Sequence, residues 1–472
     1  MKLTSWRSVA VLCLAGFCAR IPVATADPID DYLKQEQAAR GIPGLALAVV
    51  RHGRVERISA YGLANIETGT PVTPDSIFAI ASLDKGITAT GVLKAAELGK
   101  LALSDPIDKH VDVGLPGVTL SMLLSHTSGL EDFDQILPEQ YGSRTFQSYT
   151  TDELLGAVRQ ATRAAPGSRY HYSDAGLFLA QLALEHVTGR AWLPWMQESL
   201  FGPAGMQHVV TLDPRAVVPH RVSSYTFDAA QHLVRDGRTD VDYGPLYNDL
   251  GMTVGDIARW LIMLDGRGPL SPASIRTLWT QATLADGTPA REIYSFSGYG
   301  LGFGLDDVLG QRVILHTGHS GVAYMKFPAL DLSVVVFTNL EHPKGSDAAG
   351  LALGVAGLLE PSLSLRSLTP PASGEPAVAH GLRNAYEHFL AGDPDLSVYA
   401  ERLRDTMWEN RATFGDRLPR LGPLVSWNFL QQSLVDGETA LLYRATHAQG
   451  QVYVRFSLDP AGKISRLVWW HL

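Results

Sequence analysis

Two apolar, β-branched runs, Leu45 to Val50 and Val55 to Tyr61, flank the polar tetrad Arg51-His52-Gly53-Arg54 and predict an antiparallel hairpin. From Ser82 to Leu98 the apolar positions Leu83, Ile87, Val92, Leu93 and Ala96 return mostly at spacings of three to five, which predicts a largely buried helix with Ser82 at its start. Gln181 to Gly189 and Val254 to Leu264 also carry helical spacing, whereas Gln311 to Leu315 and Leu332 to Asn339 are β-rich. Helices and strands are therefore mixed through the long first segment. At residues 368–376 the run Thr369-Pro370-Pro371-Ala372-Ser373-Gly374-Glu375-Pro376 places three prolines close together, and prolines lack the amide donors that regular ladders need, so a linker is predicted. Beyond it, Gly381 to Leu390 reads as a helix. Val425 to Val435, Thr439 to Ala445, Gln451 to Leu458 and Ile464 to Trp470 then read as a four-stranded meander punctuated by Asp436-Gly437, Gln449-Gly450 and Asp459-Pro460-Ala461-Gly462. Its aromatic positions, Trp427, Phe429, Tyr443, Tyr453, Phe456, Trp469 and Trp470, are expected to pack that domain's own core.

At 472 residues the chain is long enough for two or three domains at roughly 150 residues each. With 46% hydrophobic and 18% charged residues it has a globular composition. Lys plus Arg number 39 against 48 Asp plus Glu, and a net charge of −9 argues against a surface that tracks nucleic-acid phosphates. Residues 1–26 read as a signal peptide: Lys2 and Arg7 precede a short apolar run, Val9 to Phe17, and Ala24-Thr25-Ala26 supplies the small-x-small cleavage pattern. That run is too short for a stable membrane span, and no later apolar run reaches about 18 residues. Cleavage near Ala26 predicts a periplasmic or secreted protein. It also removes Cys13 and Cys18 together with Lys2, Arg7 and Arg20, leaving no cysteine and a charge of −12 instead of −9. The division expected is a signal peptide over 1–26, a large domain over 27–367, a linker over 368–376 and a small α+β domain over 377–472.

The candidate chemistry starts at Ser82-Leu83-Asp84-Lys85, where residues three apart share a helix face and so put a serine hydroxyl beside an amine. A serine is a poor nucleophile until a neighbour takes its proton, and burial with the positive helix end is expected to lower the lysine pKa toward that task. Alone, this spacing arises readily by chance. Two further motifs follow in order: Tyr172-Ser173-Asp174, after the Pro166-Gly167 turn, and His316-Thr317-Gly318, after the apolar strand Val313 to Leu315. These three motifs resemble the signatures of serine β-lactamase-like proteins, the group of class C β-lactamases, D-Ala-D-Ala carboxypeptidases, D-aminopeptidases and related esterases. Leu123-Leu124-Ser125-His126-Thr127-Ser128-Gly129-Leu130 and the segment Gly251 to Trp260 are similar to further stretches of that group. The resemblance covers about residues 30 to 360 and leaves the C-terminal hundred unmatched.

What the resemblance implies is an α+β fold of the β-lactamase/DD-peptidase type, an antiparallel sheet flanked by helices with a helical subdomain across the cleft, to which the C-terminal domain is appended. It makes Ser82 the nucleophile, Lys85 its base or base partner and Tyr172 the proton shuttle. The oxyanion would sit on the backbone amides of Ser82 and His319, and Asp174, His316, Thr317 and Gly318 would face the substrate. The implied reaction is acyl transfer through an acyl-enzyme on D-amino acid amides, peptides or small esters, with two alternatives, β-lactam hydrolysis and an idle cell-wall-fragment binder. No cofactor, metal, nucleic acid or stable membrane span is called for, and the partner of the C-terminal domain is unknown.

Three departures from the family pattern matter. Asp84, adjacent to Lys85, is expected on another helix face with a role in helix-start electrostatics. Asp174 stands where asparagine is common and should raise the Lys85 pKa and disfavour anionic substrates. His316 replaces a lysine and should lose its charge near pH 6.5, favouring neutral esters or amides over carboxylate-bearing β-lactams. Other candidates carry less. Gly318-His319-Ser320-Gly321 fails as a hydrolase elbow because Val322 stands where glycine is needed. His316 and His319 lack the glutamate or cysteines of a metal site. His126 reads as a buried histidine that fixes a loop, and Trp260 and Trp279 as core.

Overall fold

The predicted first hairpin is present as β1 (Gly44–Arg51) and β2 (Arg54–Asn65), and it forms one half of the central sheet of a computed structural model. The structure describes residues 27–137, 149–213, 215–228, 230–236, 250–291, 296–341, 347–409, 411, 421–435 and 437–472. The predicted signal segment, with Cys13 and Cys18, lies outside the described residues. After the short edge strand β3 (Thr70–Pro71) the chain leaves the sheet. It returns as β4 (Gly298–Tyr299), β5 (Gly304–Val308), β6 (Gln311–Gly318), β7 (Val322–Phe327) and β8 (Leu332–Thr338). The strand order is β3-β2-β1-β8-β7-β6-β5-β4, antiparallel throughout, with Leu47 opposite Val336 where the two halves join.

Strand periodicity explains why β1 is apolar at almost every position. Alternate side chains point to opposite faces, and both faces are covered: Ala46, Ala48 and Val50 enter one core, Leu45, Leu47 and Val49 another. On one side lie α1 (Pro28–Arg40) and, against β7 and β8, a C-terminal helix of the same domain (Ala348–Leu359). On the other lie α2 (Asp84–Glu97), α3 (Asp174–Thr188) and α4 (Val254–Ile262), whose Ile87, Phe178 and Ile257 join the first core. The short helices Leu120–Leu124, Thr151–Gln160 and Trp192–Met196 complete this helical layer. The predicted helix from Ser82 holds, with Ser82 inside a 3₁₀ turn, Ala81–Leu83, that leads into α2. Its mixed apolar spacing follows from near-complete burial, which leaves no polar stripe to set a period. For the same reason α3 begins seven residues before the predicted Gln181: its first turns, Ala175 to Ala180, are apolar on every side.

The C-terminal meander forms as β9 (Leu424–Val435), β10 (Glu438–His447), β11 (Gly450–Leu458) and β12 (Ile464–His471), beside a helix at Leu382–Leu390. One face packs on that helix, with Trp427 stacked on Tyr443 at a ring-centroid distance of 4.5 Å and Phe389 edge-on to Trp469 at 5.6 Å. The other face departs from the expected self-contained core. Leu430, Leu442, Tyr453, Val468, Trp470 and Leu472 share a core with α1, β1 and β8. The proline-rich segment is held to the sheet, since Tyr443 Oη donates to Glu375 Oε1 at 2.7 Å and Arg444 to the Leu368 carbonyl at 3.5 Å. Among the described residues no helix is long and apolar enough to cross a membrane.

Candidate active site

Ser82 is presented by an unusual backbone. Ala81, directly before it, has φ +45°, in the left-handed region that non-glycine residues seldom occupy. Two contacts pin this segment to the end of β6. Ser320 is buried and donates its Oγ to the Ala79 carbonyl at 2.7 Å. Gly318 lies so close that a Cβ there would meet the Ile80 carbonyl oxygen at 2.8 Å and Val322 at 2.6 Å, so only glycine lets the strand end approach the nucleophile turn. Gly318 and Ser320 are thus held against residues 79–81, the stretch that leads into Ser82, and His319 between them is exposed.

One helical turn on, Lys85 is 3% exposed and donates from Nζ to Ser82 Oγ at 3.2 Å. It forms an ion pair with Asp174 Oδ1 at 2.5 Å and another with Asp84 Oδ1 at 3.5 Å. The second contact corrects the expectation that Asp84 points to a different face: the side chain curls back and is buried beside the ammonium. Burial lowers the Lys85 pKa and Asp174 raises it, both as expected, but Asp174 together with Asp84 overrides the lowering and holds the ammonium well above the ordinary lysine range. Burial in turn raises Asp84 to about 6, against the pull of Lys85. Tyr172 places its ring 5.0 Å below the Lys85 ammonium, a cation–π distance. Burial holds its phenol above the ordinary tyrosine value, opposed by Lys85 and by hydrogen bonds to Ser82 and Lys85.

Behind Tyr172 runs a hydrogen-bonded chain whose protons can be placed. The Ser173 amide donates to His126 Nδ1 at 3.1 Å, so the His126 proton sits on Nε2, 3.3 Å from Tyr299 Oη. Burial keeps His316 neutral as well; its Nδ1 lies 2.8 Å from the Thr317 carbonyl, which can only accept, so in the neutral ring Nε2 accepts from Tyr299 Oη at 3.0 Å. Burial, then Lys85, pushes His126 well below its ordinary value and His316 down to about 3. The rings of His126 and Tyr172 lie 4.4 Å apart, and Asp174 is fixed from its backbone, whose N–H donates to Asp132 Oδ1 at 2.7 Å.

The Beta-lactamase family profile matches residues 29–357. The chain belongs to that family. Among its relatives, the D-aminopeptidase of Gluconobacter oxydans is 25% identical over 350 residues, covering 69% of this chain and 62% of that protein. Penicillin-binding protein 4 of Amycolatopsis lactamdurans is 28% identical over 387 residues, 73% of this chain and 93% of that protein. The chain thus spans about 62% of the length of the D-aminopeptidases it matches. Two solved structures share the fold at a TM-score of 0.60. D-amino acid amidase from Ochrobactrum anthropi SV3 is 23% identical and covers 72% of this chain and all of its own. An octameric penicillin-binding protein homologue from Pyrococcus abyssi is 20% identical and covers 91% of this chain and 96% of its own.

Within this β-lactamase-family site the structure gathers Ser82, Tyr172 and Asp174 around Lys85 and places His316, Thr317 and Gly318 along one strand. His316 departs from the role expected of it. Instead of a group that titrates near pH 6.5 in front of the substrate, it is 2% exposed, neutral and committed to Tyr299 and the Thr317 carbonyl. His126 does fix its loop as a buried histidine. Tyr299 and Asp132 were not anticipated. The glycines around Tyr299, in Gly298-Tyr299-Gly300-Leu301-Gly302, were the available signal, because Gly302 has φ +77° and a Cβ there would meet the Lys85 carbonyl oxygen at 2.4 Å.

Proposed function

We propose that the protein is an exported serine hydrolase that acylates Ser82 with D-amino acid amides, short D-amino acid peptides or small esters. The observation that carries this reading is the setting of Lys85. The ammonium beside Ser82 is already matched by two carboxylates, and the strand position that holds a lysine in β-lactamases holds a neutral, buried histidine. A substrate carboxylate thus meets the negative charge of Asp84 and Asp174 without a free cation from either motif, whereas a neutral acyl group escapes that repulsion and an α-ammonium meets complementary charge. This favours aminopeptidase, amidase or esterase chemistry over β-lactam hydrolysis, and the D-aminopeptidase and D-amino acid amidase relatives agree with it. The predicted signal segment supports export.

In this reading Lys85 remains an ammonium in the free enzyme, so it does not itself remove the Ser82 proton. As Ser82 Oγ bonds to the carbonyl carbon, its proton passes to Tyr172 Oη while the Tyr172 proton passes to the leaving nitrogen or oxygen. The phenol is regenerated, and no free phenolate has to accumulate at a residue whose ionisation burial disfavours. Lys85 steadies the negative charge that develops on both oxygens. The amides of Ser82 and His319 receive the oxyanion, a term worth several kcal/mol when the donors are already in place, while Asp174, Thr317 and Gly318 border the acyl group and His316 supports the strand. Water then repeats the sequence on the acyl-enzyme.

A substrate panel tests the function. D-amino acid p-nitroanilides and p-nitrophenyl esters should be turned over, with kcat/KM exceeding that for penicillin and for N-acylated D-Ala-D-Ala by at least about 10-fold, a difference of about 1.4 kcal/mol in transition-state binding. Equal or better hydrolysis of the carboxylate-bearing compounds would overturn the assignment. Tyr172→Phe keeps the ring against His126 but removes the shuttle, so kcat should fall by about 10² to 10⁴ with the melting temperature nearly unchanged. Steady-state kinetics at full activity for this variant would refute the shuttle.

A further inference from the structure

The C-terminal sheet meets the edge segment of the catalytic site at Ser297. Arg455, on β11, donates to Ser297 Oγ at 2.9 Å, pairs with Asp306 at 2.5 Å and donates to the Asp307 carbonyl. Ser297 Oγ itself donates to Asp306. Arg466, on β12, donates to the Ser297 carbonyl at 3.1 Å and pairs with Glu438 at 3.0 Å, and Glu438 also receives Ser465 Oγ at 2.7 Å and Arg291 at 3.3 Å. The side chains of Arg455, Arg466 and Asp306 are 7%, 2% and 1% exposed, so these charges are withdrawn from water and are tolerable only while every partner stays in place. Arg455 at the same time donates to a carbonyl of β5 beyond Gly304 and Leu305, the positions that the two-residue strand β4 pairs.

Two residues beyond Ser297 stands Tyr299, whose hydroxyl joins His126 to His316, and directly before it stands Phe296, whose ring lies 5.3 Å from that of His316. Among the described residues β4 pairs with its neighbour at Gly298 and Tyr299. Tyr299 and the residues after it are tied down by backbone bonds, Ala282 N–H to the Tyr299 carbonyl at 2.9 Å and Leu301 N–H to the Leu278 carbonyl at 2.9 Å, and the arginines fix the preceding side at Ser297. We propose that the C-terminal domain is a positioning element of the active site, in which Arg455 and Arg466 grip Ser297 and thereby hold Tyr299 between the two histidines that back Tyr172 and the strand end beside Ser82. An interface serving stability alone could be apolar, as the shared core of Tyr453, Val468 and Trp470 already is. A buried ionic clamp is no stronger than such packing but is far more exacting about where its partner sits. The inference rests on the catalytic assignment of Ser82 and Tyr172 made above.

The test uses full-length protein and a fluorophosphonate, which reports on Ser82 whatever the natural substrate. Arg466→Met and Ser297→Ala should slow labelling per folded molecule by about 10-fold or more, lowering kcat with KM nearly constant, and Arg466→Lys should restore part of the rate. Tyr299→Phe should lose as much, and the double variant Tyr299→Phe/Arg466→Met no more than Tyr299→Phe alone, because both changes break one chain of contacts. Additive losses, or a lower melting temperature with an unaltered labelling rate per folded molecule, would overturn the proposal. If Arg466→Met does not fold, the cycle of Ser297→Ala with Tyr299→Phe gives the same decision. Failure of the unmodified protein to label at Ser82 would instead overturn the catalytic assignment itself.

Discussion

Ser82→Ala is expected to abolish fluorophosphonate labelling and to lower turnover of a D-amino acid p-nitroanilide by at least about 10⁴-fold, the scale on which a hydrolase loses rate when its nucleophile is removed. The argument is geometric. Ser82 Oγ has an ammonium at 3.2 Å and the Tyr172 phenol within hydrogen-bonding reach, and it follows a residue held in the left-handed region. Ser320, the other serine near the strand end, is buried and commits its hydroxyl to the Ala79 carbonyl. Ser320→Ala should therefore keep the label, at a cost of about 1 kcal/mol for the lost hydrogen bond. Intact-mass and peptide mapping after slow acylation should locate a single adduct on the peptide containing Ser82. An adduct on Ser320, or turnover that survives Ser82→Ala, would remove the basis of the assignment.

Which parts of this architecture could be read from the chain depends on how far apart the interacting residues lie. The β1–β2 hairpin and the C-terminal meander are local, with turn residues between apolar runs, and both appear close to their predicted bounds. The motif order around Ser82, Tyr172 and His316 was legible because each motif is itself a short string. What was not legible is what those strings meet in space. Asp84 lies next to Lys85 in sequence, where helix geometry alone sends it elsewhere, and only a buried ammonium bends it back. The direction of the Lys85 shift depends on the sum of burial and two carboxylates, one of them 89 positions away, and that balance has no sequence pattern. Tyr299 sits in a two-residue strand too short to show alternation. In β11 the run Val452-Tyr453-Val454 is apolar on both faces, which indicates two-sided burial, yet nothing local says that Tyr453 packs on the catalytic domain while its neighbours pack on the C-terminal helix. The Arg455–Asp306 pair spans 149 positions and has no local signature at all.

The setting of Lys85 makes a second large effect separable from the first by pH. Lys85→Met removes the cation from between Asp174 at 2.5 Å and Asp84 at 3.5 Å and leaves a buried carboxylate without it. Breaking a buried pair in this way costs about 3 to 5 kcal/mol. Asp84 sets the pH at which that cost is felt. Its folded pKa, about 6, lies above the ordinary carboxylate value, so the fold prefers the protonated acid. The stability it contributes is complete below the unfolded pKa and is lost as pH rises through the folded one. In the unmodified protein the loss runs from about pH 4 to 6 and amounts to about 3 kcal/mol at neutral pH. Asp84→Asn should accordingly raise Tm at pH 8 and leave it almost unchanged at pH 4. Without Lys85 the attraction that lowers Asp84 disappears, its pKa climbs further and the destabilised window extends above pH 6. Lys85→Met should then be far less stable than the parent at pH 8 and recover much of the difference at pH 5, and Asp84→Asn added to it should restore stability at pH 8. Neither remedy returns the ammonium that faces Ser82 and Tyr172, so kcat should stay down by about 10³-fold or more, as expected when the charge that steadies a developing oxyanion is removed. Thermal melts from pH 4 to 8 on the three variants decide the matter: a loss in Lys85→Met that is uniform across that range would show that the carboxylates around Lys85 do not govern the stability of the site.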